Sequence, residues 1–331
     1  MKIDPHILSE ASRSFGLELS GLRPLGGMEG MALEYKQGGR KYVLKVTPRD
    51  KSNPDQIEQI KAKFKFINYL DENGVRVAKP VPSPQSNWLE ITETEDTIYL
   101  VTAATKAEGR HVDLYDPSQS KPDFFRAWGR VTGRMHRLAK TFEHWRKDPN
   151  KGEAVSPIID WREEHEFFRN WCQFEEVREK WVALGQEIEA LPITREGYGL
   201  IHNDLHPWNF LVNPSGEITV IDFDVCAFHF FAKDIAIALF FANWIGNPGK
   251  GQSKDNYLTM FFQNYMQGYA AENTLEDVWY RVLPVFLKHH QILLFTVFTD
   301  EWVTPNKWQL STLQKWKRQI LQDIPVVKMQ F

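Results

Sequence analysis

The sequence predicts an α+β protein of two lobes, a β-rich N-terminal lobe over residues 1–103 and a mainly helical C-terminal lobe over 104–331. Three observations carry this. Segments of alternating polarity occupy residues 31–46 and 88–102, and period-two alternation marks half-buried strands. From residue 123 onward, apolar residues recur at spacings of three and four, the period of amphipathic helices. Between the helical blocks, GLIHNDLHPWNFLVNPSGEITVIDFD at 199–224 gathers polar residues at the ends of two short apolar runs. At 331 residues the chain is long for one layered core and suits one large or two coupled domains.

The N-terminal lobe opens with a helix on which Ile7, Leu8, Ala11 and Phe15 recur at helical spacing. Gly26, Gly27 and Gly30 follow in a loop leading to a hairpin that turns at Gln37-Gly38-Gly39-Arg40, and glycines let backbone approach phosphate oxygens closely. In the strand Lys41 to Val46, alternation puts Val43 and Lys45 on one face and Tyr42, Leu44 and Val46 on the other. A lysine on the inner face of a sheet requires an anion, whereas on an edge strand it would be merely exposed. A helix over 55–72 carries Ile57, Ile60, Phe64 and Ile67 and stops at Asn73-Gly74. Pro80, Pro82 and Pro84 mark an irregular connection before a second hairpin, 88–92 with 97–102.

In the C-terminal lobe, Phe124, Trp128, Val131, Met135 and Leu138 form the stripe of a helix over 123–142, and Gly129 and Gly133 would admit a close neighbour. Over 160–191, Phe167, Trp171, Phe174, Trp181, Leu184 and Ile188 are expected inward, with Glu163, Glu164, Glu166, Glu175, Glu176 and Glu179 on a solvated face. The apolar run 235–245 is shorter than the roughly 20 residues that span a bilayer, and reads as a buried helix behind Asp234. A carboxylate at that helix start would be held by free backbone N–H groups. Further helices are expected near 256–271, 278–298 and 308–321.

Composition narrows the function classes. A net charge of −3 without a basic block argues against nucleic acid as a partner. Two cysteines, Cys172 and Cys226, make no disulfide framework and suit a reducing, cytoplasmic setting. The first residues lack the apolar core of a secretion signal.

The chemistry concentrates in 199–224. His202, Asp204 and Asn209 stand as H-x-D-x-x-x-x-N, the spacing that a kinase catalytic loop uses to put a base and a magnesium ligand on one short bend. The runs Phe210 to Val212 and Ile218 to Ile221 flank the turn Asn213-Pro214-Ser215-Gly216-Glu217, and the second run ends in Asp222. Phosphoryl transfer needs little else from a protein than an acceptor for the attacking hydroxyl's proton and oxygen ligands for the metal.

IHNDLHPWNFLV followed by VIDFD resembles the aminoglycoside phosphotransferase and choline kinase superfamily, of protein-kinase-like fold, and the likeness runs from about residue 20 to about 245. The resemblance implies ATP-dependent phosphorylation of a small-molecule hydroxyl, with ATP and Mg²⁺ as cofactors. It casts Asp204 as partner of the acceptor hydroxyl, His202 as support of the loop, and Asn209 and Asp222 as Mg²⁺ ligands. Lys45 would steady the phosphates, Gly26 and Gly27 cover the nucleotide, and Val43 line the adenine. The backbone of Thr102, Ala103 and Ala104 would meet the adenine edge. His136 would be a structural, hydrogen-bonded residue, and the acids of 160–191 would favour a cationic substrate.

One departure stands out. Relatives carry a Glu that pairs with the strand lysine eleven residues before the glycine that ends the first long helix; here that position is Lys63. Glu58, the nearest upstream carboxylate, lies roughly 140° around the helix axis from Lys63. Either Glu58 pairs with Lys45 through a shifted register, or Lys45 is held otherwise.

Three other functions fit parts of the pattern. A Ser/Thr protein kinase of the stress-response type shares the loop, although Asn203 replaces the usual Arg and Phe223-Asp224 the usual Phe-Gly. A nucleotide-binding scaffold without catalysis would accommodate Lys63. A metal-dependent hydrolase could draw on His202-x-Asp204-x-His206, whose ligand types could bind zinc, with His289 and His290 available in sequence as further ligands. Oligomeric state is not written in the sequence.

Overall fold

The computed structural model describes residues 3–26, 30–52, 55–142 and 156–329, and the chain divides into two units, 1–109 with 219–224 and 110–218 with 225–331. The first unit holds α1 (Pro5–Ser14), β1 (Arg23–Gly26), β2 (Met31–Gln37), β3 (Arg40–Asp50), α2 (Gln56–Glu72), β4 (Pro80–Val81), β5 (Glu90–Glu93) and β6 (Thr97–Thr105). Its sheet is antiparallel in the order β1-β2-β3-β6-β4, with β5 also on β6. Gly38 and Gly39, at φ 55° and 76°, supply the left-handed turn that matches the twist of β2 and β3.

Alternation along β3 is realised as expected. Leu44 and Val46 join Leu33, Tyr35, Val101 and Ala103 in a core closed by Ile7, Ala11 and Phe15 from the region of α1. Lys45 stands opposite Ala32 and Thr102, and Val43 opposite Glu34 and Ala104, so these six share the other face. The segment 219–224 is stapled to this unit: Val220 N–H donates to the Arg76 carbonyl at 2.9 Å, and the Val220 carbonyl accepts from Ala78 N–H at 2.8 Å. That staple carries the end of the 199–224 motif to the sheet that bears Lys45.

Thr102, Ala103 and Ala104 are not a crossing between units. They lie inside β6, where Ala103 is paired to Leu44 and Val81 and Ala104 to Val43 and Pro80, so strands flank them on both sides. The strand runs on to Thr105 and the first unit to Gly109, six residues past the expected boundary.

The second unit holds α3 (Pro122–Ala139), α4 (Trp161–Trp171), α5 (Glu175–Glu189), β7 (Tyr198–Ile201), β8 (Phe210–Val212), β10 (Ala227–Phe230), α6 (Phe231–Trp244), α7 (Lys254–Ala270), α8 (Asp277–Arg281), α9 (Leu283–Glu301) and α10 (Lys307–Leu321); the boundary falls inside β9 (Ile218–Val220). The helix expected over 278–298 is two, because Pro284 can open a helix but not continue one. Antiparallel β7 and β10 were not expected: Ala227–Phe230 merges into the apolar run of α6, and a continuous apolar run has no period to separate strand from helix. Every residue from Phe231 to Ala242 is buried.

The amphipathic reading of 160–191 needs two corrections. Phe167, expected inward, is 59% exposed, whereas Glu164, expected in solvent, is 7% exposed. The inward face of α4 is the one that carries Trp161 and Glu164. The glycines of α3 do what their size allows: a Cβ on Gly129 would fall 1.8 Å from the Tyr265 carbonyl oxygen and one on Gly133 2.6 Å from that of Tyr269, both on α7. Gly268 of α7 reciprocates, its Cβ position lying 2.0 Å from the Arg126 carbonyl oxygen. No helix among the described residues is long and apolar enough to cross a membrane.

Because backbone, not a side chain, faces Gly129, Gly129→Val is expected to destabilise by about 3 kcal/mol or more, at the upper end for overpacked cores. Denaturant unfolding of the variant, with an unchanged midpoint, would contradict this packing.

Candidate active site

In the first unit the site is built around Lys45. Its Nζ donates to Asp222 Oδ1 at 3.1 Å and, more closely, to Asp224 Oδ2. Asp222 reaches it from the end of the stapled segment with φ 62°, a left-handed conformation that Asp tolerates better than most residues. Burial lowers the Lys45 pKa, but Asp224 and Asp222 outweigh burial and hold it above the ordinary lysine value. Burial likewise raises Asp224, and Lys45, Lys63 and Arg49 bring it below the ordinary carboxylate value. The pair therefore stays charged at neutral pH. Its stabilisation is lost as pH falls through the depressed Asp224 value or rises through the raised Lys45 value.

The acid partners of Lys45 are thus Asp222 and Asp224, not Glu58. Glu58 is 63% exposed at its side chain and pairs with Lys61 at 2.7 Å, one turn along α2. Lys63 faces the cluster instead, its Nζ donating to the backbone carbonyl of Asp224. Two ammonium groups from β3 and α2 converge on one aspartate, which lies between them as the anion that their repulsion requires. Asp224 was not singled out from the sequence. Strand alternation gave no signal for it, since Asp222 at φ 62° leaves the extended conformation in which residues i and i+2 share a face.

Val43 shares the Lys45 face, as expected. Gly26 has φ 105° and nothing within 4 Å of an added Cβ; Gly27 lies outside the described residues. Gly30 has another role: a Cβ there would meet the Val46 carbonyl oxygen at 2.6 Å, so it lets the entry to β2 lie against β3.

In the second unit, the 202–209 loop leaves β7 and is pinned by Asp234 in the first turn of α6. The Asp234 carboxylate, fully buried, accepts from His202 N–H at 3.1 Å, Asn203 N–H at 2.8 Å and His136 Nε2 at 3.2 Å. Asn203 takes φ 66°, and its Nδ2 donates to Glu164 Oε1 at 2.5 Å and to the Val225 carbonyl at 3.2 Å. His202 is buried, and its Nδ1 accepts from Asp204 N–H at 3.3 Å, which fits a supporting role. Burial lowers the His136 pKa despite Asp234.

Asp204 emerges from this framework with one oxygen engaged. Its Oδ2 accepts from Asn209 Nδ2 at 2.7 Å and lies 3.2 Å from His206 Nε2. The same Asn209 Nδ2 donates to the Asp204 carbonyl at 2.8 Å. Facing two acceptors, the amide must present its NH₂, which leaves its carbonyl oxygen directed elsewhere. An amide oxygen is a ligand of the kind that a hard cation such as Mg²⁺ takes. Among the described residues, no group of three or more His, Cys, Asp or Glu side chains could hold a metal ion, so the hydrolase reading finds no ligand set there.

With this geometry in place, comparison with known proteins is informative. A sequence profile described as the phosphotransferase enzyme family matches residues 24–275. The chain belongs to that family. This phosphotransferase is 27% identical over 299 residues to an amicoumacin kinase of Bacillus subtilis (strain 168), covering 88% of the chain and 84% of the relative. A solved structure of the amicoumacin kinase hAmiN in complex with AMP-PNP, Ca²⁺ and Ami superposes with a TM-score of 0.86 at 26% identity, covering 99% of this chain and 96% of that one. A microcompartment-associated aminopropanol kinase shares the fold, with a TM-score of 0.72 at 20% identity over 96% and 95% of the two chains.

The Lys63 anchor makes a prediction that needs no substrate. Lys63→Met removes a charged donor from the Asp224 carbonyl and should cost about 1.5 kcal/mol, the low end for a bond to a charged group. Lys63→Glu should cost more, since it sets a carboxylate beside Asp224, and Lys63→Arg less. Equal unfolding midpoints for Met and Glu would contradict the arrangement.

Proposed function

We propose that this phosphotransferase moves the γ-phosphoryl group of MgATP to a hydroxyl of a small molecule. The observation that carries the reading is the state of Asp204: Asn209 and His206 hold one carboxylate oxygen, and the other is left without a hydrogen bond among the described residues. That free oxygen is where an acceptor hydroxyl would bind, be oriented and give up its proton. The amicoumacin kinase complex with AMP-PNP and Ca²⁺ supports a nucleoside triphosphate and a divalent cation as co-substrates here.

The proposed ligands of Mg²⁺ are the Asp222 carboxylate and the Asn209 amide oxygen, the latter not used by Asp204, which takes the NH₂. When bound, the cation neutralises charge on the transferring phosphates. Lys45 would exchange Asp222 for phosphate oxygens, an exchange of like anions that asks for no change in its own charge. Val43 would line the adenine. Asp224, held through its backbone by Lys63, would remain as the counter-ion of Lys45.

The roles separate on substitution. Asp204→Asn should lower turnover by about 10² to 10⁴, the usual effect of losing a general base, and leave MgATP affinity nearly unchanged. Asp222→Ala should instead weaken MgATP binding measured by calorimetry. A wild-type rate for Asp204→Asn, or loss of MgATP binding in that variant alone, would refute the assignment.

A further inference from the structure

Trp208 stands four residues after Asp204 and directly before Asn209, yet 45% of it is exposed. A half-exposed indole on this loop leaves apolar surface in water that its two T-shaped ring contacts do not cover. The loop does fix its position. Trp208 N–H donates to His206 Nδ1 at 3.2 Å, and the indole meets the rings of His206 and Phe241 at centroid distances of 5.4 and 5.7 Å with interplanar angles of 74° and 87°. Neither neighbour stacks on it. His206 is also the residue whose Nε2 lies 3.2 Å from Asp204 Oδ2, so a single imidazole separates the indole from the carboxylate.

The aromatic surface continues away from the loop. Phe241 contacts Trp244 at 5.6 Å, Trp244 stacks on Trp308 at 5.9 Å and 13°, and Trp308 adjoins Trp302 at 6.0 Å. Trp308 is 49% exposed and is held at the start of α10, where the Asn306 side chain accepts its N–H at 3.0 Å. Two half-exposed indoles are thus joined through Phe241 and Trp244 into one run of rings within the second unit, and the run begins one imidazole away from Asp204 Oδ2.

From this continuity we infer that Trp208 is an acceptor-binding residue and that the acceptor carries an aromatic ring close to its reacting hydroxyl. The inference rests on Asp204 as the acceptor's partner, as proposed above. A flat ring stacks on an indole face and loses apolar surface to it, whereas a small aliphatic alcohol has no face to offer. Trp208 would orient the acceptor rather than take part in proton transfer.

The test compares three probe acceptors at saturating MgATP: 2-amino-1-phenylethanol, 1-amino-2-propanol and kanamycin. The wild type should prefer the aryl alcohol over the aliphatic one by at least about tenfold in kcat/KM, the ratio expected from one aromatic stacking contact. Trp208→Ala should collapse that preference through the acceptor KM with the KM for ATP unmoved, and Trp208→Phe should restore most of it. Equal loss for every acceptor would mean that the indole only supports the loop, and equal wild-type use of the aryl and aliphatic alcohols, or preference for kanamycin, would equally overturn the proposal. So would absence of both turnover and calorimetric binding of the aryl alcohol at millimolar concentration. Failure of the parent reading looks different: MgATP would not bind at all, or Asp204→Asn would leave transfer to every acceptor intact.

Discussion

A buried carboxylate organises the 202–209 loop. Asp234 receives two consecutive backbone N–H groups, from His202 and Asn203, together with the His136 imidazole, and no part of it reaches solvent. Its position in the first turn of α6 favours the negative charge, since the free N–H groups of a helix start present partial positive charge there. Loss of this acceptor would strand two buried backbone donors, besides the imidazole, at about 1 to 3 kcal/mol each. The arrangement is supported from behind: His136 stacks on Phe231 at 4.5 Å and its Nδ1 lies 3.0 Å from the Tyr269 hydroxyl, which accepts from Asn273 Nδ2 at 2.8 Å. The close approach of α3 and α7 through their glycines is what brings His136 and Tyr269 together. Packing of small residues in the helices thus reaches the backbone of the loop through one hydrogen-bonded chain.

A second electrostatic problem is solved in the sheet-bearing unit. Lys45 on β3 and Lys63 on α2 would repel, and Asp224 answers both at once, the first through its carboxylate and the second through its carbonyl. The acid that would ordinarily come from the helix is replaced by an acid from the end of the stapled segment. The polarity of the helix contact is reversed while Lys45 keeps its charge and its anionic partners. This explains how a lysine can stand on α2 where a carboxylate was expected, without the lysine on β3 losing its counter-charge.

Much of this was legible in the sequence, for physical reasons that can be named. Alternation along Lys41 to Val46 determined which face Lys45 occupies, because a strand offers only two. The H-x-D-x-x-x-x-N spacing located Asp204 and Asn209 because the loop is local in sequence. Contacts distant in sequence were not legible. Asn203 and Glu164 meet across 39 residues, and a helical pattern that put Glu164 among its acidic neighbours could only assign it to solvent. Glu58 was named and Asp224 was not, because proximity along the helix was the available criterion, whereas the actual contact spans 179 residues. The extent of β6 was misjudged for a simpler reason: Thr102 to Thr105 offers no turn residue to stop a strand, and pairing with β4 extends it.

The central claim is that the Asp234 carboxylate holds the backbone of His202 and Asn203 in place. Hydrogen–deuterium exchange of those two amides in the wild type and in Asp234→Asn tests it directly, since Asn preserves volume but removes the charge and one of the two acceptor oxygens. Exchange at His202 and Asn203 should accelerate by at least about tenfold, equivalent to roughly 1.4 kcal/mol of lost protection, while amides within α9 keep their wild-type rates. Unchanged protection of both amides in the variant would show that the loop is held by something else.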